Sequence, residues 1–89
     1  LLLLASCAVS KTKLSTDGKK VKILSSKKAR GCNVVEKVVG INKNGSVDVA
    51  KNHARNLVAR AGGNAVYFDD TIQNGSVWKV HSTAFECEE

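Results

Sequence analysis

Residues 46–64, SVDVAKNHARNLVARAGGN, carry the helical pattern around which the rest of the chain can be arranged. Apolar residues recur there every three or four positions, which places them in one stripe along a helix of about four turns. The stripe consists of Val47, Ala50, Ala54, Leu57, Val58 and Ala61. Ser46 is a suitable N-cap and Asp48 supplies the negative charge that a helix start favours, while Gly62 and Gly63 end the pattern. The stretch predicts one amphipathic helix that packs a single face against the remainder of the fold.

Short segments on both sides of this helix have the pattern of β-strands. Residues 19–24 (KKVKIL) alternate lysine with apolar residues, and residues 33–41 (NVVEKVVGI) are rich in β-branched side chains. After the helix, residues 65–70 (AVYFDD) and 77–87 (VWKVHSTAFEC) have the same character, and Asn74-Gly75 between them is a strong hairpin signal. The order β-β-α-β-β predicts a single small α+β domain, with a mainly antiparallel sheet and one helix packed on one face.

The first residues, LLLLASC, do not belong to this pattern. Four leucines are too few to span a bilayer, which takes about 20 apolar residues, but they are typical of the end of a secretory signal peptide. Leu4-Ala5-Ser6-Cys7 resembles the bacterial lipobox, in which the chain is cut before a cysteine that carries lipid. We therefore predict a signal-peptide remnant over 1–6, the lipidated Cys7 with a polar tether over 7–18, and the domain over 19–89.

Two cysteines remain once Cys7 is assigned to lipidation. An even number of cysteines in an exported chain suggests a disulfide, here between Cys32 and Cys87. Closing a loop of that length would stabilise the domain by about 4 kcal/mol in the chain-entropy model. The alternative is a metal site made by the two cysteines with His53 and His81, although no CxxC or HxxxH spacing supports it.

Positive charge is concentrated near the start of the chain. The net charge is +6, and residues 11–30 hold eight lysines and arginines against one acid, Asp17. Such a segment is either a solvated surface or a binding surface for an anionic neighbour: nucleic acid, lipid headgroups or an acidic partner. The predicted binding residues of this basic segment are Lys19, Lys20, Lys22, Lys27, Lys28 and Arg30.

The polar side of the helix offers a second candidate recognition surface, formed by Asn52, Arg55 and Asn56. The two asparagines lie one turn apart and outside the apolar stripe. They are either hydrogen-bonded to a neighbouring loop or solvated.

With the lipobox, the cysteines and the helix taken together, the chain resembles the small RcsF-like envelope lipoproteins of Gram-negative bacteria. The resemblance covers Cys7 and then residues 21–87, and is clearest in the helix, in AGGNAV (61–66) and in the closing STAFEC (82–87). It implies an outer-membrane lipoprotein, facing the periplasm or the cell surface, that works through contacts with outer-membrane or periplasmic proteins. The chain differs from RcsF itself in having two domain cysteines rather than four and no proline-rich tether.

No local signature of a catalytic site is present. Asp69 and Asp70 are adjacent, so on a strand they would point to opposite faces, and their position favours a strand end before a turn. Gly62-Gly63 follows a helix instead of preceding one, unlike a phosphate-binding loop. We predict a non-enzyme without cofactor or metal: a lipid-anchored interaction module, as RcsF is in envelope-stress sensing. The alternatives are a structural lipoprotein whose basic segment binds anionic lipid or lipopolysaccharide, and a nucleic-acid binder, for which the basic segment lacks interleaved aromatic residues.

Overall fold

A computed structural model describes residues 13–27 and 30–88 of the chain. Within these residues, two helices and four strands form one α+β domain. In chain order the elements are α1 (Thr16–Lys19), β1 (Lys22–Ile23), β2 (Cys32–Asn42), α2 (Val47–Arg60), β3 (Ala65–Asn74) and β4 (Val77–Cys87). The predicted β-β-α-β-β order is confirmed, with the short helix α1 added before it.

The four strands form one sheet in the order β1-β3-β4-β2. β4 is antiparallel to both of its neighbours, and β1 is parallel to β3 through two residue pairs. β1 and β2 therefore lie at opposite edges, so the chain between them has to cross the sheet. Lys27, from this connection, contacts Asp69 on the face of the sheet opposite α2.

α2 packs mainly over β2 and β4. Its buried residues are Ala50, Ala54 and Val58, which all belong to the predicted stripe. They meet a core of valine and alanine on one face of the sheet, including Val38 and Val66. The Ser46 hydroxyl accepts a hydrogen bond from Val49 N at 3.1 Å, as expected of the N-cap.

The first predicted strand is much shorter than expected. Val21 is buried at 2 % exposure, but β1 itself has only two residues and Ile23 is 53 % exposed. β1 is an edge strand, and α2 packs mainly over β2 and β4, so Ile23 is not fully covered by any described residue. The alternation of residues 20–23 does not extend into a long ladder.

The β3–β4 hairpin also differs in detail from the sequence prediction. β3 continues past Asp70 to Asn74, so the expectation that Asp69-Asp70 ends the strand is wrong. Asn74 pairs with Val77, which makes Gly75-Ser76 the two loop residues instead of Asn74-Gly75. Gly75 has φ +66°, and glycine at the first loop position is typical of a type II′ turn.

Residues 13–18, which we predicted to be tether, contact the domain. Ser15 caps α1 through its side chain, which accepts a hydrogen bond from Gly18 N, and Gly18 is buried. The packed part of the chain therefore begins near residue 13. Within the described ranges, no helix is long and apolar enough to cross a bilayer.

Candidate functional site at the basic end of the domain

Two side chains of α2 hold the segment that leads into the fold. Asn56 accepts a hydrogen bond from Ser15 N (2.8 Å) through Oδ1 and donates one to Lys13 O (2.9 Å) through Nδ2. Arg55 donates through Nη2 to Val21 O at 3.0 Å and to Lys19 O at 3.4 Å. We call these contacts the N-terminal clip. They show that Asn56 hydrogen-bonds a neighbouring segment, one of the two outcomes left open by the sequence.

The clip also requires a glycine. A Cβ added to Gly18 would collide with Asn56 Oδ1 and lie 3.2 Å from Leu14 Cδ1. A residue with a side chain at position 18 would therefore have to displace the Asn56 amide from the position in which it holds the segment. Two of the three residues of the predicted helix surface, Arg55 and Asn56, are thus turned toward the chain's own backbone, which leaves Asn52 as the remaining candidate there.

We expect Asn56→Ala to release residues 13–19 without unfolding the sheet. The substitution removes two hydrogen bonds, each worth about 0.5–1.5 kcal/mol net. Amide hydrogen exchange at Ser15 to Lys19 should become faster, while exchange in β4 stays unchanged. Asn52→Ala is the matched control, since it lies one turn earlier on the same helix and makes no hydrogen bond to the described part of the segment. Equal exchange in both variants would mean that Asn56 does not hold the clip.

The clip places exposed cations at one end of the molecule, where α1, the C-terminal end of α2, the start of β3 and the end of β4 are neighbours. Glu88 N donates to Gly31 O at 2.8 Å, which brings Arg30 to the same end. We call this region the basic end. Its exposed cations are Lys13, Lys19, Lys20, Lys22, Arg30 and Arg60. None of them makes an ion pair with another residue in the described ranges.

The disulfide joins two strands at the basic end. Cys32, the first residue of β2, is bonded to Cys87, the last residue of β4, and the two stand directly opposite each other in the ladder. The predicted pairing is confirmed, so these sulfurs are not available as metal ligands. Asn64 secures the same strand end, because its amide donates to Cys87 O (2.8 Å) and accepts from Cys87 N (2.7 Å).

Lys27 is separate from the other predicted binding residues. Its Nζ lies 2.7 Å from Asp69 Oδ1, and Asp69 Oδ2 accepts a hydrogen bond from the Thr83 hydroxyl at 2.6 Å. The Nζ atom of Lys37 lies 3.9 Å from Asp69 Oδ2. Asp69 sits where the β3–β4 register shifts between Phe68 and Asp70, which turns its side chain toward this group. The Lys27–Asp69 ion pair therefore holds the β1–β2 connection against the sheet.

The Asp69 carboxylate has two opposing influences on its pKa. Partial burial raises the pKa, but hydrogen bonds from Lys27 and Thr83 and the charges of Lys27 and Lys37 outweigh burial and hold the pKa below its ordinary value of 3.8. The pKa of Lys27 is raised in turn, chiefly by its hydrogen bond to Asp69 and then by the charge of Asp69.

These shifts predict the direction of the acid response. A carboxylate whose pKa is lower in the folded state stabilises the fold fully above 3.8 and loses that contribution as the pH falls through the folded value. We expect the free energy of unfolding in urea to fall when the chain with Asp69 is acidified below pH 3.8. The Asp69→Asn variant should show a smaller fall, because it has no carboxylate to protonate at this position. The Lys27 contribution is present below its ordinary pKa of 10.5 and is lost as the pH rises through its higher folded value. An Asp69→Asn variant with the same acid profile as the parent would contradict this assignment.

The other candidate residues have structural positions or lie outside the described residues. His53 Nδ1 accepts a hydrogen bond from Ile41 N at 2.9 Å and so joins α2 to β2. His81 lies in β4 between Val39 and Asp70. Among the described residues, no group of three or more His, Cys, Asp or Glu is placed to hold a metal ion. Cys7 and Lys28 lie outside the described residues.

Comparisons with known proteins bear on the fold. No family model matches the chain, and no curated protein matches it. The chain is similar to a solution NMR structure, the N-terminal domain of STM1478 from Salmonella typhimurium LT2, with a TM-score of 0.63. The match has 16% sequence identity and covers 75% of this chain and 97% of that chain. Similarity at this identity shows a shared small α+β fold and nothing about function.

Proposed function

We propose that the protein is a lipid-anchored envelope protein that acts by binding at a membrane surface, without catalysis, and that its basic end faces the membrane. One observation carries the proposal: the segment leading from Cys7 joins the domain at its basic end, where six of the exposed cations lie. The clip holds Lys13 O and Ser15 N against α2, and Lys20 and Lys22 line the neighbouring end of the sheet. A lipid on Cys7 would therefore bring this end, and not the opposite one, to the membrane.

The length of chain between anchor and clip makes this orientation effective. Residues 7–12 can span at most about 20 Å when fully extended. Exposed charges act over a Debye length of about 8 Å at physiological ionic strength, so only cations near the anchor feel an anionic surface. Acyl chains contribute about 0.8 kcal/mol per buried CH₂, so two or three chains anchor the protein stably. The cations then serve to orient the domain on the membrane.

Two versions of this function differ in whether a protein partner is needed. An interaction module, such as the envelope-stress sensor suggested by the resemblance to RcsF-like lipoproteins, needs a protein contact away from the membrane. Ile72, 44 % exposed, lies with Val77 and Lys79 around a shallow cavity near the hairpin turn, which is a suitable surface for that contact. A structural lipoprotein needs only the basic end. Photo-crosslinking from residue 72 in cells distinguishes these versions. A discrete protein adduct supports the interaction module, and the absence of one supports the structural lipoprotein.

The anchor is tested by producing the chain, behind a complete lipoprotein signal peptide, in a Gram-negative bacterium. We expect intact mass spectrometry to show acyl mass on Cys7 and the protein to stay in the membrane fraction after a high-salt wash. Cys7→Ser should lose this fraction, and whatever remains bound should be released by salt. Membrane retention of Cys7→Ser after the salt wash would refute the lipid anchor.

A further inference from the structure

The basic end contains a cavity of about 360 Å³ that is open to solvent. Its lining residues are Lys20, Lys22, Asn64, Ala65, Cys87 and Glu88. Lys20 and Lys22 are separated by Val21, which is buried at 2 % exposure. Lys20 ends α1 in α conformation and Lys22 begins β1, so the chain turns between them around the buried Val21, and both lysines line the cavity.

We propose that this cavity binds one phosphate group, supplied by an anionic lipid headgroup. The inference rests on the proposed function, in which this end faces the membrane. Lysine ammonium groups bind phosphate as point charges through charge-assisted hydrogen bonds. Lys20 and Lys22 line the same cavity, so they can contact different oxygens of one phosphate, and neither forms an ion pair with a described residue.

The backbone around the cavity is held in place, so the two lysines start from fixed positions. Lys22 N donates to Asn64 O at 3.0 Å, and the Asn64 side chain is bonded twice to the backbone of Cys87. The Cys32–Cys87 disulfide restrains Cys87, which also lines the cavity. Binding therefore orders only the two lysine side chains, which limits the entropy lost on association.

Glu88 gives the cavity a distinguishing property. It is an exposed acid that lines the same cavity as the two lysines. Its charge opposes an anion, so removing it should strengthen phosphate binding, whereas removing either lysine should weaken it. The site therefore predicts that Lys20→Gln or Lys22→Gln lowers the affinity for phosphate and that Glu88→Gln raises it.

The experiment uses the 89-residue chain with Cys7→Ser, so that no lipid contributes to binding. The probes are phosphatidylcholine vesicles with and without phosphatidylglycerol, and free glycerol 3-phosphate and inorganic phosphate in NMR titrations. We expect Lys20→Gln/Lys22→Gln to weaken binding to the anionic vesicles about tenfold, and Glu88→Gln to strengthen it about threefold, both at low salt. The matched control is Lys43→Gln/Lys79→Gln, which removes the same charge near the hairpin turn and should change binding less than about twofold.

The outcomes separate this site from the proposed function. Saturable amide shifts at residues 21, 65 and 88 with either soluble phosphate support the site, and the ratio of free-phosphate to vesicle affinity identifies which source it prefers. Equal losses in the two double-lysine variants would overturn the site and leave diffuse attraction to the membrane. Glycerol 3-phosphate binding without vesicle binding would keep the site and refute the membrane-facing orientation. All variants should retain the thermal midpoint of the parent, because the substituted residues are exposed.

Discussion

Cys32→Ser/Cys87→Ser is expected to lower the free energy of unfolding by about 4 kcal/mol, the largest stability effect among the variants proposed for this domain. The bond joins residues 55 positions apart, so its loss frees a long loop in the unfolded chain. Domains of this size have a total stability of only about 5–10 kcal/mol, and the loss removes much of it. Urea unfolding followed by circular dichroism measures the difference, with Cys7→Ser as the parent chain.

The Cys7→Ser parent is also the control for this experiment, because it removes a cysteine without affecting the bond. Compared with the unsubstituted chain it should unfold at the same urea concentration. Reduction of the Cys7→Ser parent with dithiothreitol should lower its stability to that of the double variant without substituting Cys32 or Cys87. A double variant within about 1 kcal/mol of its parent would show that the disulfide is absent or does not contribute to stability.

Gly40→Ala is expected to destabilise the domain by about 3 kcal/mol, at the upper end of overpacking effects. Gly40 lies in β2 directly beneath α2, and an added Cβ would collide with Ala50 O and lie 2.6 Å from Ala54 N. Both atoms belong to the helix backbone and cannot rotate away, so α2 would have to lift from the sheet. The sign is informative, because glycine to alanine within a strand normally stabilises by roughly 0.5–1 kcal/mol.

The same collision predicts how Gly40→Ala combines with a second substitution. Ala54→Gly removes the methyl group that would lie 2.8 Å from the new Cβ but leaves both backbone contacts. Ala54→Gly should therefore not rescue Gly40→Ala in urea unfolding. Glu36→Ala, at an exposed position of the same strand, is the control and should change stability by less than about 0.5 kcal/mol. A Gly40→Ala variant as stable as the parent would mean that α2 does not pack this closely.

Several features with a local signature were predicted correctly from the sequence, although the hairpin loop lies one residue later than its Asn74-Gly75 signal indicates. α2 follows from the apolar stripe and the Ser46 cap, and β4 begins and ends at the predicted residues, Val77 and Cys87. The Cys32–Cys87 bond follows from the parity of the cysteines once Cys7 is set aside. Lipidation, membrane location and the family resemblance rest on the sequence and stay predictions.

Features that depend on distant residues were not predictable in this way. Asn56 and Ser15 are 41 positions apart, and nothing near either residue indicates the other, so the sequence leaves Asn56 with two alternatives, a loop contact or solvent. The neighbours of Lys27 in the sequence place it in the basic segment, whereas in the fold it forms an ion pair with Asp69. The bulge that aims Asp69 is set by the pairing of β3 with β4, which residues 69 and 70 alone do not specify.

The sequence by itself determined the β-β-α-β-β order, where α2 begins, and which cysteines pair, because each depends on spacing within the chain or on counting; it did not indicate α1 or the full length of β3. Tertiary structure alone decided the strand order, the parallel pairing of β1 with β3, and the gathering of Lys20, Lys22 and Arg30 at the end where the chain from Cys7 joins the domain. The physical reason is that side-chain periodicity specifies a face for burial but not the partner that covers it. The partner is chosen by the packing of the whole core, including the close contact that Gly40 allows α2.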